Sequence, residues 1–297
     1  MKDKIFSYGV VLGKRFTEKQ KKNFLFASQI EFQDNGLESD VFSSNLNLKM
    51  NQTLSHYNLY IGDVEKADIV ISTYYDTGTK HFIKSDVKAF TTGLDKKNYM
   101  LQIVLSLLLF AGLVYTDIRF FTNGLFVDSG ILSFASLLFL IMNAIGIFVI
   151  SKVGRGVPNR TNFIRNTSSI LSIFELSKQL RGKRIAYALL DGGCSTNYGM
   201  QMLKDKVSKR TKIVYLDSIG NPGDIQVFSK RKIDVNGIQS HALDNADLAD
   251  ILITFGKLKN NEVIIPNANT SKDNEIKLDV FESNTKELST FIEELIG

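Results

Sequence analysis

The residues of this chain that could carry out chemistry are few, and the most reactive of them is a single cysteine. Cys194 follows a predicted strand and precedes a predicted helix, and a strand-to-helix turn would present its thiol as a candidate nucleophile. A nucleophile needs a neighbouring base, and the imidazoles of the chain are His56, His81 and His241. One Cys and three His also argue against a disulfide framework, a zinc finger and a metal site built on several imidazoles.

The elements that would position these residues alternate between helices and strands. Apolar periodicity predicts helices over residues 16–33, 167–180, 198–207 and 284–295. Short apolar runs predict strands over residues 57–60, 68–73, 184–190, 212–216 and 251–254. Such alternation predicts an α/β fold, a three-layer sandwich whose mixed, mainly parallel sheet lies between layers of helices.

Two apolar runs are long enough to cross a membrane. Residues 99–115 and 131–150 contain no charged side chain, and each approaches the length of about 20 residues that a hydrocarbon core of about 30 Å requires. Lys and Arg flank the pair on both sides, and the positive-inside rule therefore places the flanks in the cytoplasm and the loop 116–130 outside. We predict a multi-pass protein of the cell membrane with both termini and the main domain in the cytoplasm. Two buried core helices are the alternative.

The simplest organisation is one cytoplasmic α/β domain interrupted by a transmembrane hairpin. Residues 1–97 would form its first part, residues 98–152 the hairpin, and residues 153–297 the remainder. Two small domains on either side of the hairpin are the alternative. A net charge of +5 over 297 residues, without a basic stripe, predicts that nucleic acid is not a partner.

Five segments, taken in order, resemble motifs of the co-catalytic di-zinc aminopeptidases, the group that includes glutamate carboxypeptidase and the transferrin-receptor ectodomain. The first segment follows the strand over residues 68–73. Tyr74 stands there where the family has a zinc-ligand His, and Asp76 stands where it has the Asp that orients this ligand. In the second segment, Arg165 occupies the position of the Asp that bridges both metal ions.

The other three segments complete the resemblance. Gly193 and Cys194 replace the two glutamates of an Asp-Gly-Glu-Glu motif, of which the first is the general base and the second a zinc ligand. Asp217 retains a zinc-ligand position, whereas Asn269 replaces the last ligand His. The resemblance implies a zinc-aminopeptidase-like fold whose metal site is degenerate.

The substitutions imply that the family reaction is lost. A zinc pair needs anionic ligands, and Arg165 would place a permanent cation at the bridging position. We therefore expect no bound metal, no cofactor and no catalytic residue, and we expect Arg165 to form an ion pair with Asp76 or Asp217. The candidate cleft comprises Tyr74, Asp76, Arg165, Cys194, Asp217 and Asn269. The alternatives are a thiolate at Cys194 with a pKa lowered by Arg165, or one weak metal site at Asp76, Asp217 and Cys194.

The function implied is that of a membrane-anchored, catalytically inactive aminopeptidase-like protein. Its partners would be the lipid bilayer and another membrane protein or complex, either a transporter or a peptide-processing system, with a peptide as a further candidate ligand. One alternative is a membrane-bound peptidase or hydrolase with a site rebuilt around Cys194 and Asp217. Another is a sensor that binds a peptide or an amino acid in the former cleft. The basic runs 19–22 and 230–232 are expected to be solvated faces. The alternative is that they rest on anionic lipid at the membrane surface.

Overall fold

The computed structural model divides the chain into two compact units. One unit comprises Met1–Gly93 and Pro158–Gly297, and the other comprises Leu94–Val157. The structure describes residues 1–47, 53–83, 86–91, 96–122, 134–160, 162–180, 184–243, 248–266, 270 and 277–296.

The first unit is built on an eight-stranded sheet with the strand order β1-β2-β5-β3-β6-β11-β7-β10. These eight strands are β1 (Ser39–Asn47), β2 (Thr53–Ile61), β3 (Ile69–Tyr74), β5 (Ile185–Leu190), β6 (Lys212–Leu216), β7 (Ile225–Ser229), β10 (His241–Ala242) and β11 (Ile251–Phe255). The central strands β5, β3, β6 and β11 run parallel. The strand β2 pairs antiparallel with both β1 and β5, and β7 pairs antiparallel with β11 but parallel with β10. The sheet is therefore mixed and mostly parallel, as the sequence predicts.

Two smaller sheets complete the strands of this unit. Their strands are β4 (Val87–Lys88), β8 (Asp234–Val235), β9 (Ile238–Gln239), β12 (Leu258–Lys259) and β13 (Glu262–Ile265). The strand β13 lies between β12 and β4, and β8 pairs with β9.

Seven helices are described. They are α1 (Lys2–Lys4), α2 (Glu18–Asp34), α3 (Lys96–Thr122), α4 (Phe134–Arg155), α5 (Ser168–Gln179), α6 (Tyr198–Lys206) and α7 (Leu278–Ile296). A π-helical segment over Ile5–Val11 continues α1, and another over Phe163–Thr167 leads into α5. The predicted helices 16–33, 167–180, 198–207 and 284–295 correspond to α2, α5, α6 and α7, although α7 begins six residues earlier than predicted.

Alternate side chains of the central strands point to opposite faces of the sheet and belong to two hydrophobic cores. Ile69 and Ile71 of β3 point to the core formed with α2, α5 and α7, whereas Val70 between them points to the core formed with α6. Helices therefore cover both faces, which explains why these strands are continuous apolar runs in the sequence. The sequence analysis missed β1, β7 and β10, which lie at or next to the edges of the sheet. It also missed the strands of the two smaller sheets and the N-terminal helix.

The ends of α2 follow from local sequence. Thr17 accepts a hydrogen bond from the backbone N–H of Gln20, and the side chain of Gln20 accepts one from the N–H of Thr17, which is a capping box. The helix ends before Gly36, whose φ of +72° suits glycine, as the Asn35-Gly36 pair predicts.

The second unit contains the two apolar helices α3 and α4, packed as a hairpin. The amide of Asn143 donates to a carboxylate oxygen of Asp117 at 2.9 Å, and the rings of Phe120 and Phe139 stack with centroids 4.0 Å apart. Both helices are long and apolar enough to cross a membrane, by length and composition. Helix α3 continues seven residues beyond the predicted end of the first span, through Asp117 to Thr122.

Candidate functional site

The candidate site lies at the carboxyl ends of three neighbouring parallel strands. Tyr74 ends β3, Asp191 directly follows β5, and Asp217 directly follows β6. Because β3 pairs with both β5 and β6, these ends meet at one edge of the sheet. This edge is where open α/β sheets bind their ligands.

The side chain of Tyr74 fills the centre of this edge. It is 2% exposed, and its ring lies nearly parallel to that of Tyr215 with centroids 6.4 Å apart. A Cβ atom placed on Gly193 would lie 2.2 Å from the Tyr74 Cβ and 2.3 Å from its Cγ. Tyr74 therefore packs directly on the backbone of Gly193, and burial raises the pKa of its phenol well above the ordinary value. Tyr74 and Gly193, which the sequence resemblance places at a ligand His and at the general base, therefore form one steric pair.

Asp76 holds the turn that carries Gly193 and Cys194. Its carboxylate accepts the backbone N–H of Gly193 at 2.8 Å and that of Cys194 at 3.2 Å. Burial, together with the charge of Asp191, raises the pKa of Asp76 to about 6. Both oxygens of this carboxylate therefore accept hydrogen bonds from the backbone.

The thiol of Cys194 is a poor nucleophile in this setting. Its Sγ lies 3.3 Å from the carbonyl oxygen of Asp76, to which the thiol donates. Burial and the nearby Asp76 carboxylate raise the pKa of the thiol, and the opposing effect of Arg165 is smaller. The proposed lowering of this pKa by Arg165 is therefore wrong, because desolvation dominates.

Arg165 lies in the π-helical segment before α5, and its side chain extends over Tyr74. Its guanidinium donates to the carbonyl oxygen of Thr91 and lies over the ring of Tyr74, 5.8 Å from the centroid. Burial acts to lower its pKa, but Tyr74 and Asp217 outweigh this and raise it. Among the described residues, no ion pair within 4.0 Å involves Arg165, so the expected direct pair with Asp76 or Asp217 is not formed. A cation over an aromatic ring takes its place.

Asp217 is fully buried and bonds to a neighbouring loop. Its carboxylate accepts the backbone N–H of Phe90 at 2.7 Å and the hydroxyl of Ser218 at 2.9 Å. Burial raises its pKa, although Arg165 opposes this. Phe90 has φ of +60°, which is rare for a bulky residue, so this hydrogen bond helps to hold a strained loop.

The structure thus brings together five of the six predicted cleft residues. Four of them contact one another directly or through Gly193, namely Tyr74, Asp76, Arg165 and Cys194. The fifth, Asp217, lies beside Arg165, because the N–H of its neighbour Ser218 donates to the Arg165 carbonyl oxygen at 3.0 Å. Asn269 lies outside the described residues.

Sequence reasoning missed a second charged cluster next to Asp76. Lys21 forms an ion pair with the fully buried Asp191 at 2.5 Å, and the His56 Nδ1 lies 3.6 Å from the other Asp191 oxygen. Burial acts to lower the pKa of Lys21, but Asp76 and Asp191 together raise it. The assignment of run 19–22 to a solvated face is therefore wrong for Lys21. The signal was available, since Lys21 precedes the buried Phe24 by three positions and so shares its helix face.

Arg15 was also missed. Its guanidinium is fully buried, and Nη2 donates to the side chains of Asn166 and Thr167, each at 2.8 Å. Burial lowers the pKa of Arg15 to about 10. Arg15 therefore ties the N-terminal segment to the turn that presents Arg165.

The residues at this site do not fit a pair of zinc ions. A guanidinium and a phenol ring fill the space, and Gly193 has no room even for a methyl group. Within the described ranges, no three His, Cys, Asp or Glu side chains are placed to hold a metal ion together. Buried cations repel Zn²⁺, so the arrangement supports no zinc-dependent step.

Comparison with known proteins identifies the fold. No protein-family model and no curated protein sequence matches the chain. A Zn-dependent exopeptidase from Parabacteroides distasonis aligns over 99% of this chain and 97% of its own, with a TM-score of 0.56 and 11% identity. The chain has an aminopeptidase-like fold.

Glutaminyl cyclases share this fold. The enzyme from Porphyromonas gingivalis aligns over 99% of this chain and 98% of its own, with a TM-score of 0.55 and 9% identity. The enzyme from Bacteroides thetaiotaomicron aligns over 98% of this chain and 94% of its own, with a TM-score of 0.53 and 10% identity. At these identities the likeness concerns the fold alone, and it confirms the fold expected from the five motifs.

Proposed function

We propose that this protein is a membrane-anchored, non-catalytic member of the aminopeptidase-like fold that acts as a scaffold or binding subunit of a membrane complex. The observation that supports the proposal is the Tyr74–Gly193 pair under Arg165, at positions that the sequence resemblance assigns to a zinc ligand, the general base and the bridging Asp. A buried cation and an aromatic ring brace the strand ends without metal. The fold then serves recognition rather than hydrolysis.

The chemistry of the remaining groups supports the absence of catalysis. The carboxylates of Asp76 and Asp217 accept hydrogen bonds from backbone N–H groups, and burial raises the pKa of the Cys194 thiol. None of these groups has the arrangement of a base held against a nucleophile. This also weighs against a hydrolase rebuilt around Cys194 and Asp217.

Metal content and peptidase activity test the proposal directly. Full-length protein, purified in mild detergent, is dialysed against zinc and assayed by elemental analysis and with aminoacyl and glutaminyl peptide substrates. We expect less than about 0.1 zinc per chain and no turnover above the buffer, since general-base catalysis alone is worth about 10²- to 10⁴-fold. Near-stoichiometric zinc that is lost in Asp217→Ala would overturn the proposal.

The membrane anchor is part of the same proposal. Helices α3 and α4 support it by their length and composition. The Lys and Arg at the flanks support a topology with both termini inside the cell, by the positive-inside rule. In a Cys194→Ser background, we expect Thr122→Cys to react with a membrane-impermeant maleimide in intact cells. An Asn236→Cys control should react only after lysis, and the reverse pattern would contradict the topology.

The partner is proposed to be another membrane protein, a transporter or a peptide-processing enzyme. Gly146 packs on Leu113 within the hairpin, but the small residues Gly112 of α3 and Ala144 of α4 are exposed and suit packing against a further helix in a bilayer. Mild-detergent affinity purification at native expression, followed by mass spectrometry, should recover one membrane protein in constant ratio. Recovery of the chain without any membrane protein would refute the scaffold role.

A small cavity favours one further candidate, a domain that senses a peptide. The cavity, of about 120 Å³, is lined by the strained loop at Phe90 and by Phe228, Leu252 and Val263. It is large enough for one apolar side chain. A rise in Tm with apolar peptides, abolished in Leu252→Trp, would support this candidate, whereas no shift across a peptide series would dismiss it.

A further inference from the structure

Two adjoining N-terminal segments expose large apolar side chains. The π-helical segment Ile5–Val11 exposes Phe6 by 61%, Val10 by 58% and Val11 by 65%. Helix α2 exposes Phe26 by 65% and Ile30 by 44%. Phe26 and Ile30 lie one turn apart and share a helix face.

The two exposed sets belong to one surface. The Tyr8 hydroxyl donates to the carbonyl oxygen of Ala27 at 3.0 Å, and Lys4 forms an ion pair with Glu31 at 2.5 Å. The N-terminal segment therefore runs antiparallel along α2, which places Phe6 near the level of Ile30 and Val10 near that of Phe26. We call these five residues, Phe6, Val10, Val11, Phe26 and Ile30, the N-terminal apolar face.

The charge around this face is basic. Residues 1–31 contain seven Lys and Arg against three Asp and Glu. Glu18 pairs with Lys22, Glu31 with Lys4 and Lys21 with Asp191, and Arg15 is buried, which leaves Lys2, Lys14 and Lys19 against Asp3 within residues 1–31. Lys2 and Lys19 are exposed. An apolar face with a lysine rim is the composition of segments that lie on anionic lipid.

The face also lies beside the chain that returns from the apolar hairpin. A Cβ atom placed on Gly13 would lie 2.7 Å from the carbonyl oxygen of Arg160, and one on Gly9 would lie 2.9 Å from the ring of Phe163. Residues 158–163 resume the first unit directly after α4. The N-terminal segment is thus packed on the residues that follow α4 in the chain.

We propose that the N-terminal apolar face rests in the headgroup region of the membrane and binds anionic lipid through its lysine rim. The inference rests on the proposed membrane anchor and adds a second, peripheral contact to it. Lipid is favoured over a second copy of the chain because the face is basic, and two such faces would repel each other. The contact would fix the orientation of the domain above the bilayer.

The chain contains no Trp, which makes a single-Trp reporter specific. Full-length Phe26→Trp protein is reconstituted into nanodiscs whose phosphatidylglycerol carries dibrominated or ordinary acyl chains. We expect dibrominated lipid to quench the emission by roughly twofold, because an interfacial segment inserts about 5–10 Å into the headgroup and acyl boundary. Lys2→Gln with Lys19→Gln in the same background should reduce this quenching.

Phe42→Trp is the matched control. Phe42 is 42% exposed but packs on Tyr60, which belongs to the core on the opposite face of the sheet from α2. Its emission should be the same in both lipids. If the discs retain the protein but the emission of Phe26→Trp is not quenched, the inference is wrong and the anchor stands. The same holds if the Trp emission shifts to the blue only as the protein concentration rises, because the face then binds a second copy of the chain. Discs that do not retain the protein would refute the anchor and the lipid contact together.

Discussion

Substitution of Gly193 by alanine tests whether the former catalytic position is now a packing contact. The added Cβ would lie 2.2 Å from the Tyr74 Cβ and 2.7 Å from its Cδ2, whereas carbon atoms pack at about 3.5–4.0 Å. Rotation of the Tyr74 side chain cannot relieve the overlap, because its Cβ does not move with χ1. The backbone must shift, and with it the hydrogen bond from the Gly193 N–H to Asp76.

The expected cost is about 3 kcal/mol, at the upper end of the usual range for overpacking. This corresponds to a fall in Tm of roughly 6–12 °C for a domain of this size. Gly78→Ala is the matched control, because its Cβ would lie 3.7 Å from Cys194, which is an ordinary contact. We expect Gly78→Ala to change the free energy of unfolding by less than about 0.5 kcal/mol.

Thermal unfolding of the two variants, followed by circular dichroism in one detergent, measures the difference. Tyr74→Ala should not rescue Gly193→Ala, since it retains the offending Cβ, whereas Tyr74→Gly should reduce the penalty of Gly193→Ala in a double-mutant cycle. Equal Tm values for Gly193→Ala and Gly78→Ala would refute the steric argument.

Three further predictions concern the charged and reactive groups. Lys21→Met leaves the buried Asp191 without its cation and should cost about 3–5 kcal/mol, whereas Lys22→Met, which breaks an exposed pair, should cost less than about 1 kcal/mol in the same urea titration. The pKa of Asp76 is raised to about 6, so the folded state holds a proton that the unfolded chain releases near pH 4. Its contribution to stability is therefore full below about pH 4 and is lost as the pH rises through 6; Asp76→Asn should flatten this part of the profile of Tm against pH. Since burial raises the pKa of Cys194, iodoacetamide at pH 8 should alkylate the native thiol about tenfold more slowly than the urea-unfolded one, and equal rates would contradict the assignment.

The central sheet could be predicted from the sequence because its strands are buried on both faces. The run 68–73 and the run 184–190 are continuously apolar, and both form central strands. The strand β1 was missed because its residues are mostly exposed and its register comes from pairing with β2 rather than from its own pattern. The local sequence pattern therefore does not predict a strand whose formation depends on pairing with a neighbouring strand.

The candidate site was predictable as a set of positions but not as a set of contacts. The order of the motifs predicts that Tyr74, Arg165 and Asp217 lie together at one edge of the sheet. The hydrogen-bond partner of Arg165, however, is the carbonyl oxygen of Thr91, in a loop that no motif describes. The alternative of a lowered pKa at Cys194 has the wrong sign, since nearby cations are visible in a sequence and desolvation is not.

The position of β3 between β5 and β6 sets an order of events during synthesis. β3 precedes the apolar hairpin in the chain, and both of its partners in the sheet follow it. The ribosome must therefore deliver α3 and α4 before the central strands can pair, so the sheet closes only after both apolar helices have been synthesised. Until Leu216 has emerged, β3 is an apolar strand that lacks one or both of its neighbours, and unpaired apolar strands are prone to aggregate.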